Sequence, residues 1–386
     1  MKTGARAAIA TIGVLLCILL AGCGKDTAVL SGPDAHRTGS LELRYATQFE
    51  VEEYEEDYRI VRVADGLGYL LIPPGKEGPP AWMSQEQAAS LAQIRLPLEN
   101  VYLAASSAMD LVSTLDRLDA IRMTSTKAAD WGLPEIRERV ESDSIHYVGK
   151  YSAPDYEALL EEEVQLAVES TMIYHAPQIK EELEALGIPV LVERSSYEND
   201  PLGRLEWIRL YGVLLDREDE ADRFFSDVCA RLEVMTAETG DAEARPRVAF
   251  FSINANGAVT VRKPGDYVTK MIEMAGGEYA LSGVPSDEEN ALSTMNMQME
   301  AFYEAAVDAD VLIYNSAIEG DLGDLDALLD KAPKLADFRA VKEGRVWCTY
   351  KNVYQRSGGI CDMILDMHRI FQDSTKAGEL EYFHKL

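Results

Sequence analysis

Eight polar, basic or aromatic residues follow predicted strands or open the central helix, where their side chains could hold a small molecule. Guanidinium and ammonium groups bind anionic groups, and tyrosine or tryptophan rings stack on flat apolar ligands. In two-lobe α/β proteins, ligands lie in the crevice at the carboxyl ends of the strands. The predicted ligand-binding residues are Ser106, Trp131, Tyr174, His175, Arg204, Arg262, Lys351 and Tyr354.

Four of these residues have a second interpretation that the sequence leaves open. Tyr174 and His175 could ligate iron or haem through the phenol oxygen and the imidazole. A Tyr-His pair after a strand is also typical of ordinary packing with a hydrogen-bonded imidazole. Arg262 and Lys351 could bind an anionic ligand, or they could form surface charges and structural ion pairs.

Signatures of catalysis are absent from the sequence. It contains no GxSxG, HExxH or GxxxxGK[ST] motif, and its cysteines and histidines lack metal-site spacing. We therefore predict no catalytic residues, no metal site and no intrinsic cofactor, so the chain is not expected to be an enzyme. Two alternatives stay open: a zinc or manganese receptor, which would need three histidines and a carboxylate at the crevice, and a secreted two-domain hydrolase.

The elements that position these residues alternate between strands and helices. Residues 42–72 form a β-rich start, with strands predicted at 41–45, 58–63 and 67–72. The first α/β unit has predicted strands at 101–105, 120–123, 145–148, 165–168 and 188–192, and helices at 107–115, 155–163 and 177–186. The second has strands at 248–253, 258–261, 311–314 and 345–349, and helices at 267–274, 299–306, 324–331 and 361–371. Such alternation predicts parallel sheets covered by helices, hence two Rossmann-like lobes.

The longest helical signal lies between the two units, at residues 201–240. Asp200 can cap the helix and Pro201 suits its first turn. Its apolar residues lie on two faces, and a helix of this kind contacts two bodies. We predict one rigid helix over 202–236, about 50 Å long, that joins a first lobe at 41–200 to a second at 245–386.

The N-terminus has the pattern of a secretory signal. Lys2 and Arg6 precede an apolar run over 7–20, which is too short to span a bilayer comfortably. The run ends in Leu-Ala-Gly-Cys at Cys23, which resembles the bacterial lipobox, where the cysteine receives a diacylglycerol. We predict a signal peptide over 1–22, lipidation at Cys23 and a flexible tether over 23–40. An ordinary signal peptide with an incidental cysteine is the alternative.

Composition excludes some classes of partner. A formal net charge of −29 repels nucleic acid and anionic lipid headgroups, so neither is expected to bind. The 47% of apolar residues is enough for packed cores, which separates this chain from disordered acidic proteins. Beyond Cys23 an odd number of cysteines remains, Cys229, Cys348 and Cys361, and we expect buried free thiols, with a Cys348–Cys361 bridge as the alternative.

One segment of the first unit is echoed in the second. Glu157 opens the pattern Glu-Ala-apolar-apolar-Glu-x-x-Val before a predicted strand, and Glu300 opens the same pattern before another. Both patterns predict a helix that leads into a buried strand. An acidic residue in a first helical turn is also favoured by the helix dipole alone.

The order of these features resembles the periplasmic binding proteins of the siderophore, haem and cobalamin import class. The resemblance covers nearly all of the chain beyond about residue 95, and the segments 154–160, 183–192, 206–212 and 308–313 carry it. It implies the class III architecture, in which a single long helix joins two Rossmann-like lobes.

The resemblance also implies a function and partners. We expect a monomeric lipoprotein on the outer face of the membrane that captures an iron chelate, haem or corrinoid between its lobes. It would deliver this ligand to an ABC permease and its ATPase. In that family one glutamate on each lobe meets arginines of the permease, and the matching residues by motif are Glu157 and Glu300.

Overall fold

The structure is a computed structural model, and it describes residues 33–239, 245–285, 293–351, 353–373 and 380–386. The predicted signal peptide and Cys23 lie outside these residues. Among the helices in these ranges, none combines the length and apolar character needed to cross a membrane. The cysteines at 229, 348 and 361 are buried and free, as expected.

A five-stranded sheet forms the N-terminal part of the described chain. Its strands are β1 Arg37–Ser40, β2 Phe49–Tyr54, β3 Arg59–Val63, β4 Gly68–Ile72 and β5 Ala92–Arg95, with helix α1 Gln85–Ala89 before β5. The strands lie side by side in sequence order and pair antiparallel, except that β4 and β5 are parallel. The β-rich start predicted near 42–72 is therefore part of a larger sheet.

Two predictions for this region are wrong. Residues 41–45 do not form a strand, because the amides of Arg44 and Tyr45 donate to the carboxylate of Glu206 instead of to a neighbouring strand. The tether predicted over 23–40 is too long, because β1 pairs with β2 and Arg37 forms an ion pair with Glu52 at 3.0 Å.

The first lobe is built on a parallel sheet. Its strands are β6 Val101–Leu103, β7 Ile121–Thr124, β8 His146–Tyr147, β9 Gly149–Lys150, β10 Ala153–Pro154, β11 Leu166–Ser170 and β12 Val190–Glu193, and its helices are α2 Ala108–Thr114, α3 Pro134–Glu141, α4 Tyr156–Glu161 and α5 Pro177–Ala185. Five strands pair in parallel in the order β12-β11-β6-β7-β8, and β9 pairs with β10 in a small hairpin. This sheet confirms the first predicted α/β unit.

Two helices, not one, follow the first lobe: α6 Pro201–Leu215 and α7 Glu218–Thr239. The predicted continuous helix of about 50 Å is wrong, because Asp216 adopts a left-handed conformation with φ 56° and ends α6. Helix α7 folds back along α6, and Arg209 of α6 contacts Asp222 of α7 at 2.6 Å. The helices approach closely at Gly212, where an added Cβ would lie 2.8 Å from the Cβ of Ala221.

Helix α6 still connects the two lobes. It is about 22 Å long, and every residue except Arg204 and Arg209 is buried. It packs on α2 of the first lobe and on the second-lobe helices Tyr267–Met274 and Ile360–Phe371. Apolar residues on all sides of α6 are explained by this double contact.

The second lobe contains a mixed sheet. Its strands are β13 Arg247–Ile253, β14 Val259–Arg262, β15 Glu278–Tyr279, β16 Thr294–Met297, β17 Val311–Tyr314, β18 Val346–Thr349 and β19 Phe383–Lys385, and its helices are α8 Tyr267–Met274, α9 Met299–Ala306, α10 Ser316–Glu319, α11 Leu325–Lys331, α12 Arg339–Lys342 and α13 Ile360–Phe371. The order is β16-β14-β13-β17-β18-β19, with β15 beside β13. Strands β13, β17 and β18 are parallel, and β14, β16 and β19 pair antiparallel with their neighbours.

One apolar core extends through both lobes. It runs from Leu103 of the first sheet through Trp207 of α6 to Phe250 of the second sheet, and each of these side chains is almost fully buried. Because the core is continuous across α6, the two lobes are fixed to each other at the base of the space between them.

Candidate ligand-binding cleft

A cavity of about 520 Å³ lies between the two lobes. Its lining comes from loops that follow strands of both sheets, with Ser106 after β6, Trp131 after β7, and Tyr350 after β18. The complete lining is Ser106, Ala129, Asp130, Trp131, Gly132, Arg137, Ala317, Asp321, Tyr350, Lys351, Tyr354 and Gln355. The volume falls within the range of about 300–1,000 Å³ that is typical of small-molecule sites.

Four of the eight predicted ligand-binding residues line this cavity: Ser106, Trp131, Lys351 and Tyr354. Lys351 is exposed, so its ammonium group is accessible to a ligand. Trp131 is fully buried in the wall, and its indole nitrogen donates to the carbonyl oxygen of Thr126 at 3.2 Å. Trp131 therefore shapes the cavity more than it offers a free polar group.

The hydroxyl group of Tyr354 is fixed by hydrogen bonds to second-lobe residues, among them Arg262. The tyrosine hydroxyl accepts hydrogen bonds from the Arg262 guanidinium and from Asn315 Nδ2, the latter at 2.9 Å. Arg262 is buried, and it also donates to Ser293 Oγ at 2.9 Å and pairs with Asp266 at 3.7 Å. Arg262 does not line the cavity, because its donors are directed to these partners.

Arg204 lies on α6, outside the cavity wall. Its guanidinium carbon is 3.7 Å from the centre of the Tyr267 ring, a cation–π contact between α6 and the second lobe. Burial raises the pKa of Glu193 at the end of β12, and the hydrogen bonds from Ser195 and the charge of Arg204 oppose this shift. Arg204 thus contacts a second-lobe ring, and its charge also acts on a buried first-lobe carboxyl group.

The structure does not bring Tyr174 and His175 to this cavity. Both are exposed in a short 3-10 turn after β11. The Tyr174 hydroxyl donates to Asp65 Oδ2 at 3.2 Å and accepts from Arg194 Nη1 at 2.8 Å. This arrangement fastens the turn to the N-terminal sheet, which explains the tyrosine without a ligand.

Sequence reasoning missed several cavity residues, among them Asp130, Arg137 and Asp321. Gln355 belongs to the predicted loop after β18, but nothing in the sequence singled it out. Its side chain crosses between the lobes, where Nε2 donates to Asp130 O at 2.9 Å and Oε1 accepts from Gly132 N at 2.6 Å. Arg137 supports the same first-lobe loop, since its guanidinium donates to the carbonyl oxygen of Trp131 at 3.1 Å.

The charges around the cavity are mixed. Arg137 and Lys351 are basic, and Asp130 and Asp321 are acidic. Among the described residues, Asp321 also meets Cys348 and His384, three residue types that can hold a metal ion. Burial raises the pKa of the Cys348 thiol to about 12.

A buried carboxyl group lies near the end of β11. Glu169 is fully buried, and neither of its carboxylate oxygens has a hydrogen-bond partner among the residues that the structure describes. Burial raises its pKa to about 8, so the group is largely neutral at pH 7. No sequence pattern separated Glu169 from the many other acidic residues.

The two glutamates of the repeated pattern occupy matching positions. Glu157 lies in the first turn of α4, which leads to β11, and Glu300 lies in the first turn of α9, which leads to β17. Both are exposed. Each lobe therefore presents an exposed glutamate in the first turn of an equivalent helix.

Comparisons with solved structures show which proteins share this architecture. A periplasmic binding protein from Veillonella parvula superposes with a TM-score of 0.60, at 13% identity, and covers 84% of this chain and 98% of its own. A periplasmic heme-binding protein from Pseudomonas aeruginosa gives a TM-score of 0.58, at 18% identity, and covers 74% of this chain and 97% of its own. At these identities the likeness shows a shared two-lobed fold.

Sequence comparisons add relatives of similar length. An uncharacterized lipoprotein of Methanocaldococcus jannaschii is 23% identical, and the alignment covers 97% of this chain and 95% of the relative. The sequence also matches the family described as periplasmic binding protein over residues 110–352. Since that match spans well over half of the chain, the protein belongs to the periplasmic binding protein family.

Proposed function

We propose that this protein is the substrate-binding lipoprotein of an ABC importer, which captures an iron chelate, haem or corrinoid and delivers it to the permease. The observation that carries the proposal is the cavity between the lobes, which both sheets line with residues that follow their strands. Binding, release and delivery need no catalysed reaction, since they require only different ligand affinities in different states.

The lining suits a large, partly apolar and partly charged ligand. The Tyr350 and Tyr354 rings offer apolar faces with polar tips, and Lys351 and Arg137 supply positive charge. Heme-binding proteins of Pseudomonas aeruginosa and Vibrio cholerae are among the solved structures of similar fold. These similarities favour a tetrapyrrole or a ferric chelate over an uncharged nutrient.

Permease docking is proposed to use Glu157 and Glu300. Their exposure on equivalent helices of the two lobes gives a pair of carboxylates that two basic sites on a partner could recognise at once. Exposed charges of this kind mainly set the orientation and the rate of encounter.

The proposed location is the outer face of the membrane, with a lipid on Cys23. The support is the lipobox-like sequence and the lipoprotein names of two relatives. Replacing Cys23 with Ser should release the protein from the membrane fraction into the medium or periplasm. Membrane retention of that variant would contradict the proposed anchor.

The experiment that tests the ligand class is purification from the native host followed by a visible absorption spectrum. Haem, corrinoids and ferric siderophores absorb at different wavelengths, so the spectrum of the purified protein would show which of these classes is bound. Apo protein should then bind the same compound, and Lys351→Ala should weaken binding about tenfold, through loss of a charge-assisted contact.

The matched control is Lys331→Ala, which removes an exposed lysine at the end of α11, away from the cavity lining. This variant should bind as the parent protein does. A colourless preparation whose melting temperature rises with another solute, but with none of these three classes, would overturn the proposed ligand class.

A further inference from the structure

Strands β18 and β19 place a cysteine and a histidine side by side. Cys348 and His384 are direct partners in this antiparallel pair. Because side chains of directly opposed residues point to the same face of a sheet, the thiol and the imidazole emerge together. They are 36 positions apart in the sequence, which matches no metal-site spacing motif.

Asp321 completes the group from the loop after α10. Its Oδ1 is 2.9 Å from His384 Nε2 and 3.6 Å from Cys348 Sγ. The three potential ligand atoms all lie within 4.8 Å of one another. Asp321 also lines the cavity between the lobes, so the group borders the proposed ligand site.

These separations are close to those around a tetrahedral metal ion. Donors bound to zinc at about 2.0–2.3 Å lie about 3.3–3.7 Å apart. The sulfur–oxygen distance already matches this range, and the nitrogen–oxygen pair needs to open by about 0.4 Å as its hydrogen bond is replaced by the metal.

The donor types narrow the choice of ion. Thiolate and imidazole favour zinc and similar borderline metals, whereas calcium and magnesium prefer oxygen ligands. Three protein ligands leave one tetrahedral position for water or another donor. Such an open position at the edge of the cavity is available to a donor atom of a bound molecule.

We propose that Asp321, Cys348 and His384 form a binding site for a zinc-like divalent ion at the edge of the cleft. The ion takes the place of the Cys348 thiol proton, which is released to solvent, and is then held by one carboxylate oxygen, one thiolate sulfur and one imidazole nitrogen, with its fourth position open. This site is independent of which ligand the protein transports.

Cobalt titration tests the site, because Co²⁺ takes the place of Zn²⁺ and reports its ligands by absorption. The purified full-length protein, stripped with a chelator, should bind one equivalent of Co²⁺. We expect the visible bands of a tetrahedral ion and a near-ultraviolet band from sulfur-to-metal charge transfer. Added Zn²⁺ should displace the Co²⁺ and abolish both signals.

Variants separate this site from adventitious binding. Cys348→Ser should remove the charge-transfer band, whereas Cys361→Ser, which alters another buried free thiol, should keep it. Because Cys348 is buried and its variant could misfold, Asp321→Asn provides a second test at an exposed position. It should weaken Co²⁺ binding at least tenfold, while Asp326→Asn, at an exposed aspartate of α11, should not.

Two results would overturn the proposal. One is the absence of saturable, equimolar Co²⁺ binding at micromolar concentration. The other is a charge-transfer band that persists in folded Cys348→Ser protein, because the thiolate would then come from another cysteine.

Discussion

The carboxylate of Glu206 on helix α6 accepts a hydrogen bond from the backbone amide of Tyr45 at 2.8 Å. The same carboxylate binds the amides of Arg44 at 2.9 Å and Ala46 at 2.8 Å. Glu198, just before α6, binds the amides of Thr47 and Gln48 in the same way, each at 2.9 Å. Two acidic side chains thus fix the segment that connects β1 to β2 in the N-terminal sheet.

Replacing Glu206 with Ala should lower the free energy of unfolding by roughly 1–3 kcal/mol, because it leaves three partly buried backbone amides without their acceptor. Urea unfolding measures this change. Glu233→Ala is the control, since Glu233 is an exposed glutamate 3.9 Å from Arg44 and should have little effect. Equal midpoints for the two variants would show that these amides find other acceptors.

The buried carboxyl group of Glu169 should make the stability of the protein depend on pH. Its pKa of about 8 in the folded protein exceeds that of an exposed glutamate, so the folded state holds the proton more tightly than the unfolded state does. Between about pH 4.5 and 8 the unfolded state loses this proton first, and stability therefore falls as pH rises through this range. Below about pH 4.5 both states are protonated and the penalty disappears.

Glu169→Gln should remove this penalty and raise the free energy of unfolding at pH 7 by up to about 3 kcal/mol, from about 1.4 kcal/mol per pKa unit. Thermal unfolding at pH 5 and pH 8 measures the effect. The variant should gain more stability at pH 8 than at pH 5. The same gain at both pH values would contradict a titrating buried carboxyl group.

Loss of the Gln355 side chain should make the first-lobe loop at Asp130 and Gly132 more mobile. Gln355→Ala removes both hydrogen bonds between the second lobe and the loop at Asp130 and Gly132. We expect the Gly132 amide to exchange its hydrogen several-fold faster, as measured by hydrogen–deuterium exchange of peptides covering that loop. Gln372→Ala, at an exposed glutamine after α13, serves as the control. Unchanged exchange in Gln355→Ala would mean that this contact does not hold the loop.

The docking proposal predicts a separation of binding from transport. The double variant Glu157→Ala and Glu300→Ala should bind ligand with unchanged affinity but support import several-fold more slowly. The repeated pattern supplies its own control in Glu161 and Glu304, which are exposed on the same two helices. Loss of ligand affinity in the first variant, or equal loss of import in both, would contradict the proposed docking role.

The sequence predicted the lobes well because buried strands and amphipathic helices carry strong local patterns. Strands β6, β7, β11, β13 and β17 all lie where alternation with helices placed them. Strand β2 was missed, since the three glutamates in Phe49–Tyr54 give the segment a low β propensity although most of it is buried. The break at Asp216 was also missed, because the apolar pattern continues beyond it and aspartate can adopt the left-handed conformation that turns the chain.

The cleft was only partly predictable. The rule that ligands bind at strand ends found Ser106, Lys351 and Tyr354, because their loops follow predicted strands. The same rule misplaced Tyr174 and Arg262, whose polar groups are satisfied by neighbours that no local pattern reveals. The meeting of Asp321, Cys348 and His384 depends on an antiparallel pairing at the end of the chain, which only the folded sheet establishes.

If Cys23 carries the proposed lipid, the short distance in sequence from Cys23 to the first strand would limit how far the folded lobes could lie from the membrane. Described structure begins at Pro33, ten residues after Cys23, and the chain enters β1 at Arg37. An extended chain covers at most about 3.6 Å per residue, so the ten residues from Cys23 to Pro33 could span at most about 36 Å. A protein anchored in this way would stay in a thin layer above the bilayer and would reach the proposed permease by lateral diffusion.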